Sequence, residues 1–295
     1  MSKRGLALLC ALCCLVCVCR AEGGGMDGEA WEAIVSALAS DAEAPVPEEY
    51  RIQVSAGDMN RSGAAEEGWL NLLVCSTDSK DLTQNFGRSD ALLACRVNLA
   101  NGKCWLLSLP EEALLQLPEL PQEIALRYVN CFGGPRLALR ALNDTLGLRL
   151  NRYIAVNMDV FTDLVDKMGG VKLELAEDDA QALEMEPGMQ TLSGSQALSY
   201  LRLRRAGDGA GRMRALLEAV FSQFLSMPSV NQAFILVDMV MVDIDSNLTT
   251  DDIINLVFAV MGQEKKGGLE TRSLFTDGLL DNAERQQVQE FFFSR

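Results

Sequence analysis

The chain has 295 residues, 48% of them hydrophobic, and carries 26 Lys and Arg against 41 Asp and Glu, a formal net charge of −15. This composition allows a large core in one or two domains, and the net negative charge argues against a general attraction to nucleic acid or anionic membranes. The absence of histidine excludes histidine-dependent nucleophilic catalysis and histidine-ligated zinc, so any chemistry must use carboxylates, arginines or an oxygen-ligated metal.

The first segment, residues 1–21, is predicted to be a signal peptide or a short membrane anchor. Lys3 and Arg4 precede fifteen uncharged residues, 5–19, whereas a membrane-spanning helix usually needs roughly 20. Ala21 supplies a small residue at a plausible cleavage point. Either alternative predicts that the protein acts outside the cytoplasm.

Residues 22–66 are predicted to be a peripheral lead-in with one short amphipathic helix around Trp31 to Leu38. From there on, short apolar runs alternate with longer helical ones, which is typical of an α/β domain. We expect this domain to span residues 67–295, with its motifs in a core over 70–225 and a C-terminal extension over 226–295.

The core begins with a predicted buried strand at residues 69–78, followed by a hairpin over 91–110. Asn101-Gly102 is the pair that a two-residue type I′ turn prefers, so we expect that turn between the two hairpin strands. The remaining predicted elements are a helix from Pro135 to Leu146 ending at Gly147, strands at 153–157 and 171–175 flanking a helix from Asp159 to Met168, and C-terminal helices from Thr250 to Met261 and up to Phe293.

Four cysteines follow the first segment, namely Cys75, Cys95, Cys104 and Cys131. In an exported protein they permit two disulfides with three possible connectivities. The alternative is four buried free thiols, which the apolar runs around Cys75, Cys95 and Cys104 favour, because free cysteine behaves as a small hydrophobic residue.

Five arginines lie within residues 202–214, namely Arg202, Arg204, Arg205, Arg212 and Arg214. Ser193 and Gln196 form a capping-box pattern at the start of the helix that leads into this segment, and a second amphipathic helix follows it. Guanidinium groups at helix ends can bind phosphate groups in a bidentate way. A solvated basic face is the alternative explanation.

A second polar cluster lies at the ends of neighbouring predicted strands and contains Asp78, Arg88 and Asp90. Sites in α/β sheets are usually found at strand ends. Two carboxylates with nearby arginines suit a Mg²⁺ ion that bridges to a diphosphate. Asp and Ser are also common turn residues, so the cluster alone fits an ordinary turn as well as a metal site.

Seven stretches in chain order resemble motifs of the LytR-CpsA-Psr family of cell-envelope proteins: NLLVCSTDSKD, GRSDALL, WLLSLPEE, YVNCFGG, YIAVNMDVFTDLVDKMGGVKLEL, LSGSQALSYLRLR and GDGAGRMR. The resemblance implies a three-layer α/β/α sandwich around a mixed central sheet. It also implies an envelope enzyme that uses Mg²⁺ to move a glycopolymer phosphate from a polyprenyl diphosphate carrier to a peptidoglycan hydroxyl. Contact with the membrane surface would come through the lipid substrate or the N-terminal segment.

By this resemblance, Asp78 and Asp90 are metal-binding and catalytic residues, and Arg88 is both catalytic and diphosphate-binding. The resemblance also assigns diphosphate binding to Arg202, Arg204 and Arg212. Phosphoryl transfer relies mainly on positioning and charge stabilisation, so this set of cations and carboxylates suits the reaction.

The chain departs from the family pattern at two places. Glu111 stands where the family's S-I-P-R-D motif has arginine, and Ala215 and Leu216 replace an arginine and a glutamine. A carboxylate beside a diphosphate lowers affinity, so we expect Glu111 to be the limiting defect and Glu111→Arg to tighten binding. A non-catalytic protein that binds polyprenyl phosphate or wall fragments, and a structural envelope protein without a ligand, therefore stay open as alternatives.

Overall fold

A computed structural model describes residues 26–40, 46–59, 66–79, 85–89, 91–203, 212, 215–216, 218–220, 222–223, 244–261, 268–274, 278–280 and 282–294. The predicted signal or anchor segment, Asp90 and Arg204 lie outside these residues. The described chain divides into two compact units, Met1–Ala44 with Pro118–Gln122, and Pro45–Leu117 with Glu123–Arg295. The predicted domain boundary at residue 66 stays a prediction.

In the first unit, helix α1 (Gly28–Ala39) confirms the helix predicted around Trp31 to Leu38. Asp27 caps it, because the Asp27 carboxylate accepts a hydrogen bond from the Ala30 N–H at 2.8 Å. Trp31, Ile34 and Leu38 recur at helical spacing and are buried.

The second unit is built on a six-stranded sheet. Its strands are β1 (Trp69–Thr77), β2 (Ala91–Asn98), β3 (Cys104–Leu109), β6 (Arg152–Asn157), β9 (Asp245–Ser246) and β10 (Leu269–Ser273), in the order β10-β3-β2-β1-β6-β9. β1 and β6 are parallel, as are β3 and β10, whereas β2 is antiparallel to both β1 and β3. Consequently β1, β3 and β6 end at the sheet edge where β2 begins.

Helices cover the sheet on both faces. One face carries Leu72, Leu93 and Leu106, against which Leu256 of helix α7 (Thr250–Met261) packs. On the second face, helix α8 (Asn282–Phe292) packs against β3 and against α3 (Leu126–Leu146), which also contacts β6 and the short helix α2 (Ala56–Met59). This arrangement confirms the predicted three-layer sandwich around a mixed sheet.

The hairpin between β2 and β3 is present, but the predicted two-residue turn is wrong. The Asn98 N–H donates to the Lys103 carbonyl, and the Gly102 N–H donates to the Asn98 carbonyl, so the loop has four residues, 99–102. A type I′ turn needs two central residues with positive φ. Gly102 has a φ of 66°, but the φ of Asn101 is not positive. The Asn101 side chain instead accepts a hydrogen bond from the Lys103 N–H at 2.9 Å.

Helix α3 is interrupted at Gly133 and Gly134, whose backbone angles are not helical. A side chain at Gly133 would lie 2.7 Å from the Ile52 carbonyl oxygen, and Gly134 has a φ of 66°. The glycine pair thus allows a break that brings the helix close to neighbouring backbone. The second half confirms the helix predicted from Pro135 to Leu146, and the first half, Leu126 to Phe132, was not predicted.

Two small sheets complete the second unit. One pairs β4 (Leu114–Leu115) with β5 (Ile124–Ala125), and the other pairs β7 (Val171–Leu175) with β8 (Gly188–Leu192). Helices α4 (Met158–Lys167), α5 (Glu177–Ala182) and α6 (Gly194–Arg202) accompany the β7–β8 sheet. The capping box predicted from Ser193 and Gln196 opens α6, so that prediction is confirmed.

The C-terminal residues pack onto the second face of the central sheet. The Arg96 guanidinium lies 3.8 Å from the centroid of the Trp69 ring and 4.8 Å from that of Phe293. The indole N–H of Trp105 donates to the Ser294 hydroxyl at 2.9 Å. These contacts join β1, β2 and β3 to the end of the chain.

All four cysteines outside the first segment are buried free thiols, as the alternative to two disulfides predicted. Cys95 and Cys104 lie closest, with their sulfur atoms 3.3 Å apart. Among the described helices, none combines the length and the apolar character needed to cross a bilayer.

Candidate functional site

Asp78 and Arg88 lie together at the sheet edge where β1 ends and β2 begins. The Arg88 N–H donates to Asp78 Oδ1 at 2.6 Å, and Arg88 Nε donates to Asp78 Oδ2 at 2.7 Å. The side chain of Arg88 is 26% exposed and that of Asp78 is 34% exposed, so solvent and ligands can reach both. The structure therefore brings together two of the predicted site residues, and it places them at a strand end as expected.

Gly87 lets the loop backbone lie closer to the Asp78 carboxylate than a residue with a side chain could. A side chain on Gly87 would lie 2.5 Å from Asp78 Oδ1 and 2.6 Å from Thr77 Oγ1. Ser89 Oγ is buried without a hydrogen-bond partner in the described part of the chain. Carboxylate and hydroxyl oxygens are the hard donors that Mg²⁺ prefers, so the donors fit that ion. The described residues contain no group of three or more acidic or cysteine side chains that could hold a metal by themselves.

Two buried asparagines support the loop that carries Gly87 and Arg88. The Asn130 side-chain amide, on α3, donates to the Gly87 carbonyl at 2.6 Å and to Asn85 Oδ1 at 3.3 Å. Asn85 donates in turn to Asp245 Oδ2 at 3.2 Å. Tyr153 donates from its hydroxyl to Asp245 Oδ1 at 3.0 Å. Sequence reasoning did not identify these supporting residues, although Asn130 lies within one of the recognised motifs.

Two buried thiols in this region, Cys75 and Cys131, have raised pKa values. Burial raises the pKa of Cys75 to about 12, with a further contribution from the negative charge of Asp245. Burial also raises the pKa of Cys131 to about 12, where Asp78 adds to the effect and Arg88 and Arg127 oppose it. Both thiols are therefore neutral at physiological pH and are poor nucleophiles.

Glu111, which departs from the family pattern, and its neighbour Glu112 both lie near an arginine. Arg127 Nη1 donates to Glu112 Oε1 at 2.5 Å, and Arg127 Nη2 lies 4.0 Å from Glu111 Oε2. The main chain fixes this arrangement, because the Arg127 N–H donates to the Glu111 carbonyl at 2.9 Å. A guanidinium thus lies near Glu111, and the expectation that Glu111 is the limiting defect in diphosphate binding stays a prediction. Sequence reasoning missed Arg127 because sixteen residues separate it from Glu111.

The predicted diphosphate-binding arginines near residue 202 differ in their surroundings. Arg202 is exposed at the end of α6. Arg212 is 2% exposed, and its guanidinium donates to Asp179 Oδ1 at 3.2 Å and to the Leu203 carbonyl at 2.6 Å. These contacts give Arg212 a structural part in the β7–β8 region. Its contact with a diphosphate, like that of Arg202 and Arg204, stays a prediction.

Comparison with known proteins identifies related sequences over most of the chain. A model of the LytR_cpsA_psr family matches residues 35–290. A protein of Halalkalibacterium halodurans named polyisoprenyl-teichoic acid–peptidoglycan teichoic acid transferase TagU is 28% identical over 206 residues, which are 66% of this chain and 66% of that protein. A protein of the same name from Enterococcus faecalis is 26% identical over 220 residues, or 69% of this chain and 72% of that protein. The chain thus spans slightly less than two thirds of the Halalkalibacterium relative.

Solved structures share the fold. TagT bound to LI-WTA superimposes with a TM-score of 0.64 at 19% identity, covering 82% of this chain and 98% of that chain. TagV of B. subtilis gives a TM-score of 0.63 at 19% identity, covering 78% of this chain and 100% of that one. A YwtF (TagT) structure with bound octaprenyl pyrophosphate lipid gives a TM-score of 0.61 at 19% identity, covering 82% and 98%.

Proposed function

The chain belongs to the LytR-CpsA-Psr family, and on this premise we propose that it transfers a glycopolymer phosphate from a polyprenyl diphosphate carrier to a hydroxyl group of peptidoglycan. The names of the TagU relatives describe a transfer of this kind, and one structural neighbour holds a polyprenyl pyrophosphate. The observation that carries the proposal is the pairing of Asp78 with Arg88 at the sheet edge.

The reaction is a substitution at phosphorus. An oxygen of the acceptor hydroxyl forms a bond to the phosphorus that carries the glycopolymer, and the bond from that phosphorus to the bridging oxygen of the diphosphate breaks. Polyprenyl monophosphate leaves with the bonding electrons. The hydroxyl proton passes to a carboxylate, for which Asp78 and Asp90 are the candidates.

The cationic side chains orient the donor and offset its charge. Arg88, Arg202, Arg204 and Arg212 are the proposed diphosphate-binding residues, and guanidinium forks suit phosphate oxygens. Because the leaving group gains negative charge during the reaction, cations held in place before the reaction stabilise the transition state.

We propose Asp78 and Asp90 as the residues that hold Mg²⁺. The partly exposed Asp78 carboxylate and the buried Ser89 hydroxyl, which are both hard oxygen donors, support this assignment. When bound, Mg²⁺ offsets the charge of phosphate oxygens, as it commonly does in phosphoryl transfer.

The proposed place of action is the cell envelope. The lipid donor would bring the protein to the membrane surface, and the segment over residues 1–21 would act as an export signal or as an anchor. Both statements rest on the family and on the sequence, since this segment lies outside the described residues.

The test is release of polyprenyl monophosphate from a polyprenyl diphosphate-linked saccharide by residues 22–295, with Mg²⁺ and peptidoglycan fragments. We expect Asp78→Asn to reduce the release rate by about a hundredfold or more, by the scale of lost general-base catalysis. Asp163→Asn is the matched control, because Asp163 is an exposed aspartate on α4. Binding of the lipid without release of polyprenyl monophosphate would favour the non-catalytic binding protein. An unchanged release rate in the Asp78→Asn variant would contradict the proposed site.

A further inference from the structure

We propose that Arg127 is a diphosphate-binding residue and that Glu112 holds its guanidinium in the free protein until the substrate displaces the carboxylate. This inference rests on the proposed function and adds a counter-ion exchange to it. It concerns two residues that the family motifs did not assign.

The main chain places Arg127 beside the Asp78–Arg88 pair. The Ser89 N–H donates to the Arg127 carbonyl at 2.9 Å, so the first turn of α3 is bonded to the loop that carries Arg88. Asn130, three residues further along the same helix, donates to the Gly87 carbonyl at 2.6 Å. Two hydrogen bonds from opposite directions therefore hold the helix and the loop together.

The side chain of Arg127 also lies within electrostatic range of this pair. Cys131 follows Arg127 by four residues and so lies on the same face of the helix. The pKa of the Cys131 thiol responds to the charges of Asp78, Arg88 and Arg127 together. All three charged groups thus lie close enough to Cys131 to act on the same thiol.

The balance of charge explains why an exchange is needed. Arg88 and Arg127 supply two positive charges, whereas Asp78, Glu111 and Glu112 supply three negative ones. A diphosphate bound among all five groups in these positions would be repelled, because their net charge is negative. Binding is favoured when a carboxylate leaves its guanidinium and the phosphate oxygens take its place.

Exposure identifies Glu112 as the group that moves. The Glu112 side chain is 59% exposed, whereas that of Arg127 is 23% exposed. A carboxylate so exposed regains water when it swings away, so the loss of the exposed ion pair costs little. The guanidinium stays in place, because most of its side chain is packed against the protein.

The exchange is tested by titrating geranylgeranyl diphosphate into residues 22–295 in the presence of Mg²⁺. Glu112→Gln removes the competing anion and is expected to tighten binding about two- to fivefold, which corresponds to an exposed ion pair. Arg127→Gln is expected to weaken binding about tenfold or more, as for a lost charged hydrogen bond. Adding Glu112→Gln to Arg127→Gln is expected to give no further change, since the carboxylate then has no guanidinium to hold.

The pair formed by Lys103 and Glu270 provides the matched controls. It has a similar separation of 2.6 Å and similar exposures of 29% and 47%, and Lys103 precedes β3, whereas Glu111 and Glu112 follow that strand. Glu270→Gln and Lys103→Gln are expected to leave the affinity unchanged. Arg127→Lys, which keeps the charge and loses the fork, is expected to restore part of the affinity.

The outcomes separate this inference from the proposed function. If the Glu112→Gln variant binds the diphosphate with wild-type affinity, the proposed counter-ion exchange is wrong, even if the Arg127→Gln variant binds it weakly. Arg127→Gln that binds like the wild type, beside a weakened Arg88→Gln, would overturn the role of Arg127 and leave the proposed function standing. Failure of the wild type to bind the diphosphate would overturn the proposed function and this inference with it. Unchanged thermal unfolding of each variant shows that the differences are not due to misfolding.

Discussion

Asp78 and Arg88 bind each other through the main chain and the side chains together. The Asp78 N–H donates to the Arg88 carbonyl at 3.0 Å, and the Asp78 carboxylate accepts from both the Arg88 N–H and Arg88 Nε. The main-chain bonds persist when the Arg88 side chain is changed. The position of Asp78 and the charge of Arg88 can therefore be tested separately.

Arg88→Gln is expected to weaken binding of a polyprenyl diphosphate about tenfold, because one charged hydrogen-bond donor is lost. The free energy of unfolding should fall by less than about 1 kcal/mol, since the ion pair is partly exposed. Calorimetric titration and urea unfolding of the same preparations check both values. A large loss of stability with unchanged affinity would show that Arg88 is only structural.

Gly87→Ala is expected to abolish most of the transfer activity. The new methyl group would lie 2.4 Å from the Ser79 nitrogen and 2.5 Å from Asp78 Oδ1, so the loop and the carboxylate must shift. A displacement of about 1 Å at a catalytic group costs about a hundredfold in rate. Gly268→Ala is the control, because a methyl group there meets nothing within 4 Å. Equal activity of the two variants would contradict the assigned position of Asp78.

Arg212→Met is expected to lower the free energy of unfolding by about 3–5 kcal/mol, because it leaves the Asp179 carboxylate without its buried partner. The double variant Asp179→Leu/Arg212→Met replaces both charges by apolar groups and is expected to regain most of that stability. Denaturant unfolding measures the change in each variant.

The double variant also tests the predicted role of Arg212 in binding. If Arg212 contacts the diphosphate, the stable double variant binds it more weakly than the wild type. Wild-type affinity in the double variant would assign Arg212 to structure alone.

Stability is expected to fall at alkaline pH. The pKa of Cys75 and that of Cys131 are raised from 9.0 to about 12 in the folded protein. The folded state therefore holds these protons more tightly than the unfolded chain. Stability is fully present below pH 9 and declines as the pH rises toward 12, by about 1.4 kcal/mol per pH unit for each thiol.

Urea unfolding at pH 8, 9 and 10 with a phosphine reductant measures this decline. Burial raises the pKa of Cys104 as well, so Cys131→Ala is expected to reduce the slope of unfolding free energy against pH by about a third, whatever its effect at neutral pH. A slope that is the same in the variant and the wild type would show that Cys131 does not titrate on unfolding.

Local sequence signals predicted much of the fold. The burial pattern of β1, the capping box before α6 and the glycine that ends α3 each depend on residues a few positions apart. The hairpin was predicted correctly, but its turn was not. Asn98 and Asn101 bond to backbone N–H groups within the loop, and this local competition favours a longer turn over type I′.

The candidate site was predicted only in part, because its remaining contacts are long-range. Asp78 and Arg88 follow from strand ends and from the family motifs. Asn85 and Asp245 are 160 residues apart in sequence, and their hydrogen bond requires the order of β1, β6 and β9 in the sheet. No local pattern encodes such a pairing, and the same holds for Arg127 and Glu111.

The contacts around Arg96 and Trp105 also give the protein an optical marker of its folded state. The Arg96 guanidinium lies 3.8 Å from the centroid of the Trp69 ring, and the Trp105 indole N–H donates to the Ser294 hydroxyl at 2.9 Å. Two of the three tryptophans of the chain therefore lie where residues 293 and 294 pack onto the sheet. Separation of these residues from the sheet would bring water to the Trp105 indole, so intrinsic fluorescence can follow their docking without an added label.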